Sequence, residues 1–436
     1  MTWLFDGLYA LGLLILSPWL LVRACVTGRY RQRLRAKLFG TPALPIPAQA
    51  PVWFHGVSVG EIHLLATLVS AFRVRHPGRA CVISSTTDTG FAEASKRFTD
   101  LPVIVWPFDF SWAIRRTLDA VQPRMVVLAE SELWPNFLRI CQQRGIPVVV
   151  VNGRMSPRSF RRYGWIAGLS RWLLLGRITH FALQSSDYAE RLTKLGIPAS
   201  RISVTGSIKY DGAPLDRNNA KTRELRRQFG LAEHHRVWVA GSAHAPEEQC
   251  VIDAFVQLRQ RDSRLRLILV PRSPDRFEEV AKLVERAKLR MVRRSQMTGV
   301  VTGDPEVFLI DTIGELSAVW GLADIGFVGG TLDGQRGGQS MIEPAAYGVP
   351  VIMGPHVWNF RDAVTRLLEV DAAVKLRDAS ELQAAVRQLL DDPLRRERMG
   401  TAAAQLVRQQ QGATKRTLDL LDRMMPAITE PKRESR

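Results

Sequence analysis

The chain has 436 residues, 46% of them hydrophobic and 23% charged, with a formal net charge of +18. That length exceeds one ordinary core and suits two α/β domains with appendages, and the composition is that of a globular chain rather than a disordered one. So large a positive excess is more than solubility needs and points to an anionic partner: nucleic acid, lipid headgroups or a phosphorylated substrate.

Residues 7–22 (GLYALGLLILSPWLLV) carry no charge; Asp6 precedes them and Arg23 follows. As a helix this stretch spans about 24 Å, slightly short of a ~30 Å hydrocarbon core, with Pro18 able to kink it. It lacks the basic start and small-residue cleavage site of a signal peptide. Arg23, Arg29, Arg31, Arg33, Arg35 and Lys37 follow with no acid among them, which a core helix does not explain. The pattern predicts an N-terminal membrane-anchor helix, spanning or interfacial, with its basic run against anionic headgroups. Residues 1–50 are read as this anchor and basic segment, at the cytoplasmic face of the inner (plasma) membrane. The four cysteines (Cys25, Cys81, Cys141, Cys250) show no C-x-x-C pair and no zinc spacing, which fits a reducing compartment without structural metal.

From residue 51 short apolar runs alternate with amphipathic stretches. Strands are predicted at 52–54, 80–84, 103–106, 125–129, 148–151, 180–183 and 202–205. Their continuous Val/Ile-rich character reads as a parallel sheet covered on both faces, and with intervening helices as a doubly wound fold. Residues 212–236 are polar and weakly patterned, and are read as a linker. Strands resume at 237–240, 267–270, 307–310, 325–328 and 351–353, helices fill the chain to residue 425, and 426–436 is a tail. Open α/β sheets bind ligands at the carboxyl ends of their strands, so chemistry is sought there.

Ser58-Val59-Gly60-Glu61 follows the first strand and opens a helix. A carboxylate at Glu61 could accept a proton from an attacking hydroxyl; it could equally be an acid favoured by the helix dipole. The same stretch, from Gly56 to Gly60, matches the G-x-S-x-G elbow of α/β-hydrolases around Ser58, with His244 and His356 as available partners. Its position on the first strand argues against that reading. Glu130-Ser131-Glu132 places two acids at another strand end beside Trp134, a plausible acceptor-binding group. Arg154, Arg158 and Lys209 put cations near further strand ends, where they suit phosphate or carboxylate ligands or simply a solvated face.

In the second half the strand ends carry Ser242 and His244, Arg272, Gly314 and Glu315, and the pair Gly329-Gly330. Glycine pairs before a helix let backbone N–H groups approach an anion, and a carboxylate such as Glu343 suits the two hydroxyls of a ribose. There is no strict D-x-D and no G-x-x-x-x-G-K-[ST], so metal-dependent glycosyl transfer and nucleoside triphosphate hydrolysis lose ground.

These segments, in this order along nearly the whole chain, resemble the 3-deoxy-D-manno-octulosonic acid (Kdo) transferases of lipopolysaccharide assembly. The matching stretches include Ser58-Val59-Gly60-Glu61, Glu130-Ser131-Glu132-Leu133-Trp134-Pro135-Asn136, Asn152-Gly153-Arg154-Met155-Ser156 and Thr205-Gly206-Ser207-Ile208-Lys209. Val270-Pro271-Arg272, Gly314-Glu315-Leu316, Phe327-Val328-Gly329-Gly330 and Gly354-Pro355-His356 with Asn359-Phe360 continue the series. Each motif is weak alone; together and in order they are specific.

The resemblance implies a GT-B fold of two Rossmann-like domains, with 51–211 binding the acceptor and 237–425 binding the CMP-sugar. It implies transfer of Kdo from CMP-Kdo to a lipid A precursor of the lipid IVA type, inverting the anomeric centre, with no cofactor and no metal. Glu61 would then be the proton acceptor, and Glu130 and Lys209 would stabilise the transition state. Pro271, Arg272, Ile313, Gly314, Glu315, Ser340, Met341, Ile342 and Glu343 would hold CMP, with Ser242, His244, Gly329, Gly330 and Arg154 as further donor or acceptor contacts.

The expected partners are the donor, the lipid acceptor and an anionic membrane surface, not nucleic acid. Two departures stand out: Gln339-Ser340 where relatives have His-Asn, and Arg35-Ala36-Lys37 where they have Gly-Glu-Arg. The first keeps open a GT-B transferase for another nucleotide sugar. A membrane-tethered binder of nucleic acid or anionic lipid is the non-enzyme alternative, opposed by the acids Glu61, Glu130, Glu132 and Glu343.

Overall fold

The computed structural model describes residues 5–7, 9–12, 14–15, 33–42, 50–130 and 132–425. Among them the chain forms two compact units, residues 1–211 with 411–436 and residues 212–410.

In the first unit seven strands form one sheet: β1 (Val52–His55), β2 (Cys81–Ser85), β3 (Val103–Val105), β4 (Met125–Ala129), β5 (Val148–Gly153), β6 (His180–Leu183) and β7 (Ile202–Val204). They lie in the order β3-β2-β1-β4-β5-β6-β7, every pair parallel. Because side chains alternate across a strand, Val52 and Phe54 enter one core while Trp53 enters the other. The helix Val59–Arg75 covers the first face through Ile62, Leu65 and Leu68; the helices Ser111–Val121 and Pro135–Gln143 cover the second. Burial on both faces is why β1 to β6 read as mainly apolar runs; the edge strand β7 is only partly buried.

The second unit repeats the plan with β8 (Arg236–Ala243), β9 (Leu265–Pro271), β10 (Met291–Arg293), β11 (Val307–Leu309), β12 (Ile325–Val328), β13 (Val351–Met353) and β14 (Ala373–Lys375). Their order is β10-β11-β9-β8-β12-β13-β14, again wholly parallel. In each sheet the chain reverses its direction of winding once, between β1 and β4 and between β8 and β12. Crevices at such switch points are where doubly wound folds bind ligands.

The structure departs from the sequence reading in four places. The edge strands β10 and β14 were not foreseen; each is three residues long, carries a charged residue and is incompletely buried, so neither shows an apolar run. Residues 212–236 are not a free linker: the helix Ala220–Gln228 buries Leu225, Thr222 donates to Ala318 O at 2.9 Å, and Phe229 stacks on Phe308.

The helix Ala413–Met424, expected in the nucleotide domain, belongs to the first unit, where Leu418, Leu420 and Leu421 join the core. Asp211 receives the Gly412 N–H at 2.7 Å and that of Thr414, fastening this crossover.

Finally, Lys37 is buried against the first unit and paired with Asp88 at 3.4 Å, and the Arg33 guanidinium lies over the Phe91 ring. These two cations are engaged by the fold rather than held out for headgroups. Most of the expected anchor lies outside the described residues, and among the described ones no helix is long and apolar enough to cross a membrane.

Candidate functional site

Glu61 sits at the switch point of the first sheet. The turn after β1 starts a helix because Ser58 is extended and its Oγ caps the N–H of Glu61 at 3.4 Å. The Glu61 carboxylate folds back and accepts the Val57 N–H at 2.6 Å, close to a capping box shifted by one residue. The dipole-favoured helix start is therefore real, yet it does not exhaust the residue's chemistry. Burial lifts the Glu61 carboxyl to about 7, the Val57 N–H opposes that, and the carboxylates of Glu130 and Glu132 add to it. A helix-start acid with only a capping role would stay well below this. Ser58 bonds only to Glu61 through its side chain among the described residues, so no histidine activates it as a nucleophile.

Around Glu61 the neighbouring strand ends form a polar network. His55, last in β1 and fully buried, joins Ser84 Oγ through Nδ1 at 2.8 Å and Glu132 through Nε2 at 2.9 Å. Thr86 also donates to Glu132, at 2.8 Å. Burial pulls the His55 pKa down against the pull of Glu132; burial raises Glu132, but His55 and Thr86 outweigh it and hold that carboxyl below its usual value. We therefore assign an ionised Glu132 and a neutral imidazole. An ionised carboxylate only accepts, so Nε2 carries the proton and Nδ1 accepts from Ser84, whose oxygen receives the Trp53 indole N–H at 2.8 Å.

Glu130 is paired with Lys209 at 3.2 Å. Asn152, fully buried at the end of β5, accepts the Ile208 N–H at 3.0 Å and so fixes the turn that carries Lys209. Glu130 and Asn152 both have positive φ, 59° and 52°, a left-handed conformation that asparagine tolerates and that is uncommon for glutamate. Beside them lies a cavity of about 170 Å³ lined by Glu130, Arg154, Arg162 and apolar side chains including Met155, Tyr163 and Leu175. The sequence reading brought Glu61, Glu130, Glu132, Lys209 and Arg154 forward. It gave no role to His55, Ser84, Thr86 or Asn152, although a polar residue ending an otherwise apolar strand is the signal that could have found them.

In the second unit the end of β8 carries Ser242, again with positive φ (54°), and His244 follows the strand. Burial, then the charges of Arg336, Arg272 and Arg276, depress the His244 pKa to about 4; its Nε2 is buried without a partner among the described residues. This end of the sheet thus gathers three arginines around a neutral imidazole, with Arg276 paired to Glu248 (3.0 Å) and Glu279 (2.7 Å) and Arg336 to Asp333. Arg272 is exposed, next to the buried Pro271.

The glycine pair works differently from the expectation. Glu247, fully buried, accepts N–H groups from His244 (3.0 Å), Gly330 (2.6 Å), Thr331 (2.7 Å) and Leu332 (2.9 Å). The N–H of Gly330 is therefore occupied by a protein carboxylate, and Gly329 is required for packing: a Cβ there would meet Ser242 O at 2.4 Å. Met341 and Ile342 are buried in the core, which leaves the partly buried Ser340 and Glu343 as the side chains able to reach a ligand from that segment. Burial alone raises the Glu343 pKa. Ile313 is 81% exposed beside Gly314 at φ 95°, a bare apolar surface next to exposed backbone. Glu315 is committed to Arg294 (2.8 Å) and Thr312, so its carboxylate shapes that loop.

Residues 28–212 match the family described as 3-deoxy-D-manno-octulosonic-acid transferase (kdotransferase). The chain is 34% identical to a 3-deoxy-D-manno-octulosonic acid transferase of Haemophilus influenzae, over 95% of this chain and 97% of that protein. It is 35% identical to the protein of that name from Bordetella pertussis, over 95% and 98%. Among solved structures, a UDP-GlcNAc 2-epimerase from Neisseria meningitidis shares the fold at 14% identity and a TM-score of 0.55, covering 86% of this chain and 100% of that one. Identity of a third along essentially the full length makes the chain a member of the 3-deoxy-D-manno-octulosonic acid transferase family.

Proposed function

We propose that the protein is an inverting glycosyltransferase of the GT-B type that moves Kdo from CMP-Kdo to a lipid A precursor of the lipid IVA type in lipopolysaccharide assembly. It would work at the cytoplasmic face of the inner membrane. The observation that carries this reading is Glu61: a carboxyl with a pKa of about 7, set among Glu130, Glu132 and Lys209 in a chain of this family. A base with a pKa near the working pH is the most effective at general-base catalysis.

In this account Glu61 takes the proton of the acceptor hydroxyl as its oxygen bonds to the anomeric carbon of Kdo. The bond from that carbon to the CMP phosphate oxygen breaks, and its electron pair leaves with CMP. Lys209, held by Glu130, supplies fixed positive charge near the reacting groups. In the second unit Arg272 and the field around His244 meet the phosphate, Glu343 the ribose, and the Ile313–Gly314 surface the base. Preorganised charge of this kind stabilises the transition state without reorganisation cost. The cavity of about 170 Å³ beside Glu130, with Arg154 and Arg162, suits the phosphorylated acceptor.

The test is incubation of the membrane-bound enzyme with CMP-Kdo and a lipid A precursor, followed by mass spectrometry of the lipid. A gain of one or more Kdo masses is expected. No gain, or transfer from a UDP-sugar in preference to CMP-Kdo, would overturn the assignment.

A further inference from the structure

A second charged feature of the first unit extends beyond Arg154 and Arg162, the two arginines placed at the acceptor cavity. Between Leu133 and Ser186 the chain carries eight arginines and no Asp, Glu or Lys. Within this stretch the helices Pro157–Trp165 and Ala167–Leu173 form a short hairpin. The first buries none of its residues, and the hairpin turns outward Trp165 at 90% exposure, Ile166 at 51%, Leu169 at 49% and Trp172 at 47%. Two tryptophans and two branched aliphatics exposed together are not a soluble helix surface; a patch of this kind marks a binding face.

Beside the hairpin opens a cavity of about 570 Å³ lined by Arg171, Trp172, Arg177 and Arg201, with no carboxylate on its walls. The partners these arginines do have are neutral. Arg177 donates to Leu173 O at 3.2 Å and to the Gln142 side chain at 2.5 Å, and its guanidinium lies 5.8 Å from the Trp172 ring centre. Arg201 donates to Gly176 O at 3.1 Å and Thr179 O at 3.3 Å. Three cations thus border one cavity without a countercharge among the described residues, and burial weakens the hold of Arg177 and Arg201 on their protons. An anion entering the cavity would relieve this directly.

We propose that this hairpin and cavity form a membrane-docking site: Trp165, Ile166, Leu169 and Trp172 settle at headgroup depth while Arg171, Arg177 and Arg201 clasp the phosphate of an anionic bilayer lipid. Tryptophan with arginine is the composition of interfacial membrane contacts. A nucleic acid would use the arginines but give Ile166 and Leu169 no apolar partner. The site is separate from the N-terminal segment and stands whatever sugar the enzyme transfers.

Hydrogen exchange on the full chain tests it. Vesicles of phosphatidylglycerol and phosphatidylcholine should slow exchange of amides in 157–177 about tenfold, as several arginines near an anionic surface would produce. Pure phosphatidylcholine vesicles should have a much smaller effect, and free inorganic phosphate none. Trp165→Glu and Arg171→Glu, both at exposed positions, should each reduce the slowing in 157–177 while thermal unfolding and Kdo transfer in detergent stay unchanged. No slowing with anionic vesicles would overturn the proposal. So would equal slowing with both vesicle types, slowing by inorganic phosphate alone, or full slowing in both variants. A missing transfer activity alongside slowed exchange would instead strike only the assignment of Kdo transfer.

Discussion

At the scale of single residues the account turns on how one carboxyl is tuned. Glu61 has a folded-state pKa of about 7, above the ordinary carboxylate value, so its ionisation opposes folding. The stability it contributes is complete below its unfolded pKa and is lost as pH rises through about 7. Glu61→Gln keeps an acceptor for the Val57 N–H but cannot ionise, so it should be more stable than wild type above pH 7, by up to about 3 kcal/mol. The difference should vanish near pH 4. Parallel chemical denaturation at pH 5 and pH 8.5 measures it, and equal stability at both would mean the carboxyl is not tuned this way. Ser58→Ala separates the two readings of the same turn: losing the cap should cost about 1 kcal/mol with transfer activity largely kept. Abolished activity in a folded Ser58→Ala protein would revive a nucleophilic serine.

At the scale of elements, the strands were legible wherever both faces are buried. β1 to β6, β8, β9 and β11 to β13 are mainly buried apolar runs; the edge strand β7 is only partly buried but keeps Ile202 and Val204 in alternation, while β10 and β14 hide behind Arg293 and Lys375 at the sheet edges. The helix Ala220–Gln228 was missed because its polar composition carries few buried positions, Thr222 and Leu225. Glu61, Glu130 and Lys209 drew notice in the sequence because acids and cations at strand ends can meet a ligand, and the structure pairs Lys209 with Glu130 at 3.2 Å. Glu247 was not, since its collar is built with donors more than eighty residues away in the chain. Losing it would strand buried N–H groups at about 1–3 kcal/mol each. Glu247→Ala should therefore unfold or strongly destabilise the second unit, and Glu247→Gln should fall between that variant and wild type. Thermal melts with and without CMP would show it; an unchanged melting temperature for Glu247→Ala would contradict the collar's role.

At the scale of the whole molecule, the chain makes two parallel-sheet units and then returns a helix to the first. Ala413–Met424 is tied there by Asp211, by Arg75 to Asp419 (2.7 Å) and Asp422 (2.8 Å), and by the apolar contacts of Leu418 and Leu421. Truncation after Gln410 should raise the proteolysis rate of the first unit while the second stays protected; the opposite pattern would contradict the assignment of this helix. Family membership gives the chain its kinship, and the tuned carboxyl carries the mechanism proposed for it. The most direct test of that mechanism is the rate of Kdo transfer from CMP-Kdo across pH 5 to 9, for wild type and Glu61→Gln. The account predicts a wild-type rate that rises with pH through an apparent pKa near 7. It predicts a folded Glu61→Gln enzyme whose kcat is lower by about 10²–10⁴-fold, with that acid limb gone. A Glu61→Gln enzyme with near wild-type kcat and the same pH profile would contradict it.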